Sequence, residues 1–427
     1  MGCRTTIGEL CARICSGGTP KRDTIEFYED GDIPWLNTSE ISFNRIRKTG
    51  QHITEAGLSG SSAKWIRKNS IAVAMYGATA GKVAITKIPL TTNQACCNLE
   101  INEEIADYRY IFYWFKNQYT RVLGLANGGA QQNLSAKTIR ALEIELPTLS
   151  QQRRVASFLS TIDDKIELNA QLNGYLEELL LAKYDKLFPV NADFTGILSD
   201  VGTIIGGATP SKKRSEYYCS NGIGWITPRD LSNTSDKFIA HGTDDITDEG
   251  YASCSAKLLP KGSVLFSSRA PIGYIAIAAD AVATNQGFKS IVPKEEIGTA
   301  FVYCFLVRNK QRIADMGAGT TFPEVSGKMM KSVELAIPKQ TLCAEFDFFA
   351  GPILRQQEAL ERENRELAAL RDALLPKLMS GEIDVSQVDL TQINSHLGQL
   401  SVVFKIKYWT VKKAARPVIG IHLGVLL

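Results

Sequence analysis

The chain has 427 residues, 44% hydrophobic and 22% charged, with a formal net charge of +3. That composition fits a globular protein with room for two or three cores, and no apolar run is long enough for a helical membrane span. Basic and acidic residues nearly balance, 17 against 14 over residues 1–150 and 16 against 15 over 190–340. Tight sequence-independent nucleic-acid binding by this chain alone is therefore disfavoured, because phosphate neutralisation supplies most of that energy.

The N-terminal turn carries Glu9 and Arg13 with no continuous apolar stretch after it, so a secretory leader is not expected and a cytoplasmic location is. Met1–Thr6 matches the loose myristoylation pattern, which is short and common. Nine scattered cysteines contain no Cys-x-x-Cys pair. Reduced thiols, with neither a zinc site nor disulfides, are the expectation.

From Ser16 onward the chain repeats itself. Ser16-Gly17-Gly18-Thr19-Pro20 returns as Gly206-Gly207-Ala208-Thr209-Pro210, and Glu26, Tyr28 and Trp35 return as Glu216, Tyr218 and Trp225, all at an offset of 190. Thr54-Glu55-Ala56-Gly57 returns as Thr247-Asp248-Glu249-Gly250 at 193, and Thr92-Asn93-Gln94 as Thr284-Asn285-Gln286 at 192. So long a period means two whole domains, since solenoid units run to a few tens of residues. The expected boundaries are 1–150 and 190–340. Each copy ends in an alternating strand closed by proline, Leu142–Pro147 and Val333–Pro338.

A long helical segment follows each copy, over 151–189 and 341–381. In the first, Leu159, Ile162, Ile166, Asn169, Asn173, Leu176, Leu180, Lys183 and Leu187 step by 3 and 4, a heptad-like seam. In the second, Leu360, Asn364, Leu367, Leu370, Leu374 and Leu378 form the corresponding row, with Asn173 aligned to Asn364 and Leu187 to Leu378 at an offset of 191. Pro352 and Pro376 limit the expected regular part to 353–375, and Gly381 marks the stop. The two helices are expected to pair antiparallel, with the matched asparagines setting register or simply facing solvent. A helix of about 35 residues is roughly 50 Å long, on the order of 15 base-pair steps.

These elements resemble the specificity subunit of type I restriction–modification systems. The likeness rests on Gly-Gly-Thr-Pro after a short first helix, on Ile33-Pro34-Trp35-Leu36 and Ile223-Gly224-Trp225-Ile226, and on the paired Thr-Asn-Gln segments. It also rests on Gly-rich turns before Leu134-Ser135 and Val325-Ser326, and on the run Leu370-Arg371-Asp372-Ala373-Leu374-Leu375-Pro376-Lys377-Leu378-Met379-Ser380-Gly381-Glu382-Ile383. The resemblance covers about residues 5–390. It implies an α+β fold: two similar target recognition domains separated by two long antiparallel helices that form a coiled-coil spacer. It further implies a non-catalytic subunit. Each domain reads one half of a bipartite double-stranded DNA target, while the helices set half-site spacing and dock two methyltransferase subunits. Restriction subunits join that core. S-adenosylmethionine, ATP and Mg are used by these partners, and this chain needs no cofactor.

The residues add their own constraints. The Asn/Asp-Pro-Pro-aromatic motif of adenine methyltransferases is absent. Tyr76–Val83 mimics a phosphate loop but fails at both ends, where Tyr76 replaces the first Gly and Val83 the Ser/Thr. Base reading needs amide, hydroxyl or guanidinium groups presented to a groove. The candidates are Lys21, Arg22, Asn37, Thr38, Tyr76, Gln131, Gln132 and Asn133 in the first copy. In the second they are Lys212, Lys213, Arg214, Thr227, Arg229, Arg269, Thr320, Thr321 and Phe322. The lysines suit phosphate contact or a solvated face, whereas the Gln-Gln-Asn and Thr-Thr-Phe runs differ between copies as readers of two targets would. Trp35 and Trp225 are expected in the core, and the repeated Asn-Gln pairs in scaffold hydrogen bonds. Two other readings remain: an interaction scaffold that does not bind DNA, and an inactive relic of a restriction locus. The tail 382–427 departs from the resemblance, with five basic and no acidic residues over 391–427 and an apolar end.

Overall fold

A computed structural model describes residues 3–126, 133–189, 193–317 and 323–384. The chain divides into two compact units, Met1–Lys165 joined by the chain from Leu367 onward, and Ile166–Glu366. Gln131, Gln132, Thr320, Thr321, Phe322 and the tail from 385 lie outside the described residues.

The first unit is built on a five-stranded sheet in the order Cys11–Ser16, Cys96–Ile101, Ile71–Ala74, Val83–Thr86, Asn44–Ile46. All neighbours are antiparallel except the last pair, where Asn44 lies opposite Ala84 in parallel register. A smaller sheet sets Ile33–Leu36 between Gln51–Ile53 and Thr91–Thr92. The second unit repeats the larger sheet strand for strand: Gly202–Gly206, Lys289–Pro293, Val264–Phe266, Ile275–Ala278, Phe238–Ile239, again with only the last pair parallel. The duplication in the sequence is thus a duplication of topology.

One helix covers each sheet. Tyr108–Asn117 buries every residue from Tyr110 to Phe115, and its first turn is capped by Asp107, whose carboxylate accepts the Arg109 N–H at 2.8 Å. Its counterpart, Thr299–Asp315, buries Ala300 through Leu306. Burial of each such aromatic stabilises by about 2–3 kcal/mol, so these helices dominate their cores. The terminal strands predicted for each copy also form. Glu143–Leu146 pairs with Cys3–Thr6, and Glu334–Leu335 with Gly196–Ile197. In the first copy no helix precedes the Gly-Gly-Thr-Pro segment among the described residues: the strand Cys3–Thr6 turns directly into Cys11–Ser16, while in the second a four-residue helix, Leu198–Val201, occupies that place.

The first long helix spans Leu149–Leu187. Thr148 and Gln151 start it reciprocally: the Thr148 N–H donates to Gln151 Oε1 at 3.1 Å and the Gln151 N–H to Thr148 Oγ1 at 3.4 Å. The second runs from Gln340 to Ser380 without a break, longer than the 353–375 expected. Pro352 and Pro376 are interior but exposed, so water can hydrate the carbonyls that lose their N–H partners. Buried neighbours on either side, Ala350 and Ile353, then Leu375 and Leu378, hold the helix against a proline cost of about 3 kcal/mol. Gly381, at φ +77°, ends it.

Each unit contains a piece of both long helices, paired antiparallel. In the first unit Asp163 meets Arg371, and Val155, Leu159, Leu375 and Leu378 enter the core. In the second, Asn169 meets Asn364, Glu177 meets Gln357 and Lys183 meets Glu345, while Leu180, Tyr184, Phe346 and Ile353 enter the core. Among the expected seam residues, Ile162, Leu180, Leu360 and Leu378 are buried, and Ile166, Asn173, Leu176, Leu187, Asn364, Leu367 and Leu374 are half-buried. Leu370 is not in the seam: it is 49% exposed, and Leu375 is buried instead at 4%. The buried row reads 343, 346, 350, 353, 357, 360 and then 375 and 378, with 371 half-buried before 375, which leaves 370 on its exposed flank. Asn364 pairs with Asn169 rather than with its repeat partner Asn173.

Candidate nucleic-acid interface

Three segments converge in the same way in both units. Trp35 is 1% exposed and donates its indole N–H to Gly18 O at 3.0 Å; Trp225 is 4% exposed and donates to Ala208 O at 3.1 Å. The hydroxyls of Tyr28 and Tyr218 donate to Pro20 O and Pro210 O at 2.6 and 2.7 Å. The tryptophans thus anchor the Thr-Pro turns from within. Glycine is required because these turns run against the Thr-Asn-Gln loops. A Cβ on Gly17 would lie 2.2 Å from Thr92 O, and one on Gly207 would lie 2.1 Å from Thr284 O.

The loop after each tryptophan strand completes the arrangement. The Asn37 N–H donates to Glu40 Oε1 at 3.1 Å and the Thr227 N–H to Asp230 Oδ2 at 2.8 Å. Asn93 Nδ2 donates to Asn37 Oδ1 at 3.1 Å, and the Gly287 N–H donates to Asn285 Oδ1 at 2.8 Å. The repeated asparagines therefore act on neighbouring protein groups, as scaffold residues do. The Thr227 hydroxyl is likewise engaged, donating to Asp230 at 2.6 Å.

The candidate side chains stand on this frame. Lys21, Arg22, Lys212, Lys213 and Arg214 are exposed on the Thr-Pro turns; Asn37, Thr38 and Thr227 are half-exposed; Arg229 is exposed at the start of the helix Pro228–Ser232. Arg214 is already engaged, paired with Glu216 at 2.5 Å and stacked 5.1 Å from the Tyr217 ring centre. A second group forms where two loops bridge. Tyr76, 41% exposed, pairs backbone to backbone with Asn133, and Arg269 with Glu324, at matching places in the two units. Arg269 Nε donates to Glu324 Oε2 at 3.0 Å and Lys289 Nζ reaches Glu324 Oε1 at 3.3 Å. Burial works against the Glu324 carboxylate, but these two hydrogen bonds and charges hold its pKa below the ordinary value. Glu324 and Lys289 escaped the sequence reading because an ion pair formed across a bridge leaves no local pattern.

In the first unit a cleft of about 410 Å³ opens between the Thr-Pro turn and the short helix Ala136–Arg140, lined by Cys15, Ser16, Gly17, Ser62, Lys64 and Arg140 among others. Arg140 Nη2 donates to Ile14 O at 3.3 Å. Burial pushes the Cys97 thiol, on the strand beneath, up to about 12 against the opposing field of Arg140. In the second unit Lys289 lies opposite Gly206, its Cε 3.8 Å from a Cβ placed on Gly327. The repeat held the signal for this cleft, since Lys64 returns as Lys257 and Arg140 as Lys331.

Among the described residues no helix is long and apolar enough to cross a membrane. The type I restriction enzyme MjaIX specificity subunit of Methanocaldococcus jannaschii is 38% identical over 180 residues, 40% of this chain and 41% of that protein, so the chain spans less than half the length of that relative. The type I restriction enzyme HindI specificity subunit of Haemophilus influenzae is 23% identical over 344 residues, 62% of this chain and 74% of that protein. The type I restriction-modification S subunit of M. genitalium shares the fold, with a TM-score of 0.56 over 88% of this chain and 95% of its own at 19% identity. The family described as the type I restriction modification DNA specificity domain matches twice, over residues 4–178 and 195–346. With one match in each copy of the repeated fold, the chain belongs to that family of specificity domains.

Proposed function

We propose that the chain is the DNA-reading, non-catalytic subunit of a type I restriction–modification complex, each unit reading one half of a bipartite target. The observation that carries this is duplication with divergence. The frame of turns and strands is the same in both units, yet the pair at one matched bridge is Tyr76 with Asn133 in the first and Arg269 with Glu324 in the second. A shared frame with different polar tips is what two unlike half-sites require. The paired helices set the spacing between half-sites and dock two methyltransferase subunits, to which restriction subunits add. S-adenosylmethionine, ATP and Mg belong to those partners. The near-neutral charge of the domains supports this division, since partners then supply much of the phosphate contact.

The test is a domain exchange. With residues 1–150 replaced by the corresponding domain of a relative and the complex reassembled, adenine methylome sequencing should show one half of the methylated target changed and the other intact. Change in both halves, or in neither, refutes the reading.

A further inference from the structure

We propose that the cleft between the Thr-Pro turn and the helix Ala136–Arg140 in the first unit is a phosphodiester-binding site, with Lys64 and Arg140 as its cations. This rests on the DNA-reading function and assigns the cleft a part in it. Ser16, Gly17 and Ser62 line it beside the two cations. Both cations are exposed, and neither has a carboxylate partner among the described residues. That separates them from Arg13, Arg67 and Arg109, which pair with Glu100 or Asp107.

The repeat supplies the second argument. Lys257 and Lys331 stand at the matching positions of the other copy, both exposed, although the bridge residues nearby have diverged. A feature kept in both readers cannot distinguish two targets. It suits the part of DNA that is the same in every sequence, the phosphate backbone. The cleft also adjoins the candidate readers on both sides. Its lining residue Gly17 is followed in the chain by Lys21 and Arg22, and its helix follows Asn133. A phosphate held there would fix the register in which those side chains meet the groove.

The experiment uses the full chain assembled with its methyltransferase subunits, carrying Lys64→Ala with Arg140→Ala. Affinity for target and non-target duplexes is measured across a salt series, and the methylated sequence is mapped. The expected result is a loss of about tenfold in affinity, equal for both duplexes, with the dependence of log K on log salt shallower by roughly 2 and the methylated sequence unchanged. Arg140→Lys should keep the wild-type slope, which a purely structural role through the Ile14 carbonyl would not predict. Unchanged affinity and slope, an affinity loss with unchanged slope, or an altered methylated sequence each overturns the site while leaving the reading function standing. A wild-type complex that does not prefer its target refutes the reading function itself and the site with it.

Discussion

Asn169 Nδ2 donates to Asn364 Oδ1 at 2.9 Å, a polar link across the helix pair in the second unit. Asn364 closes the link by donating to Ile166 O at 3.3 Å. Under the internal repeat Asn364 corresponds to Asn173 and Asn169 to Leu360, so the mirrored contact would set Asn173 against a leucine. Asn173 Oδ1 is indeed buried without a hydrogen-bond partner. The duplicated seam has kept one polar link and lost the other.

That asymmetry predicts opposite effects from similar substitutions. Asn169→Leu strands Asn364 Oδ1 and should cost about 1–3 kcal/mol. Asn173→Leu removes an unsatisfied acceptor and should be neutral or stabilising by up to about 1 kcal/mol. Urea unfolding of the two variants decides; equal destabilisation would mean that Asn173 has a partner in solution.

Arg269 supplies the second prediction. Its guanidinium is held at 3.0 Å by Glu324, and a pre-oriented arginine fork is suited to the O6 and N7 acceptors of guanine. Arg269→Ala should relax a single position in the half-site read by the second unit, a loss of about 1–3 kcal/mol in discrimination. Glu324→Gln should relax the same position less. Methylome sequencing reads both, and relaxation in the other half-site would refute the assignment.

The contrast between these two cases shows what the sequence makes legible. Gly17 and Gly207 recur because backbone passes within van der Waals contact at both turns, and Trp35 and Trp225 because each fills the same buried place. Such constraints act on residue type itself, so the domain pair and the strand before each long helix could be read from spacing alone. Leu370 misled because leucine fits a seam or an exposed helix face equally well. The prolines at 352 and 376 misled because local propensity yields to packing on both sides. Glu324, Lys64 and Arg140 are surface residues whose meaning comes only from what folding brings beside them.

Glu361 makes stability depend on pH. It is 6% exposed and accepts the N–H groups of Lys237 and Phe238 at 2.9 and 3.0 Å. Burial pushes its carboxyl from 4.5 up to about 7, aided by Asp236 and opposed by those two N–H groups and the Lys237 charge. The folded state therefore holds the proton more tightly than the unfolded chain. The associated stability is complete below pH 4.5 and is lost as pH rises to about 7, a change of about 2–3 kcal/mol. Glu361→Gln should remove this slope, at a constant cost of about 1 kcal/mol for the acceptor it lacks. Unfolding measured from pH 4.5 to 7.5 compares the two, and parallel profiles would show that Glu361 is not the titrating group.

Asp163 anchors the first unit to its helix pair. It accepts the Tyr113 hydroxyl at 2.5 Å and Arg371 Nη1 at 2.7 Å, with the Asp163 and Arg371 side chains 16% and 15% exposed. In the second unit Tyr303, the repeat partner of Tyr113, donates instead to Glu177 at 2.9 Å, and Lys237 completes that site. Removing a buried partner of an ion pair is costlier than the pair is worth, because the remaining charge stays desolvated. Asp372, 2.8 Å from Arg371 Nε, lessens that penalty here. Asp163→Ala should then cost about 2–3 kcal/mol, and Asp163→Asn, which keeps the acceptor for Tyr113, about 1–2 kcal/mol. Hydrogen exchange should show the loss in Ile71–Ala74 and Tyr108–Asn117, with protection of Val264–Phe266 unchanged. A uniform loss across both units would mean that they unfold as one cooperative body, and the anchor would then be global rather than local.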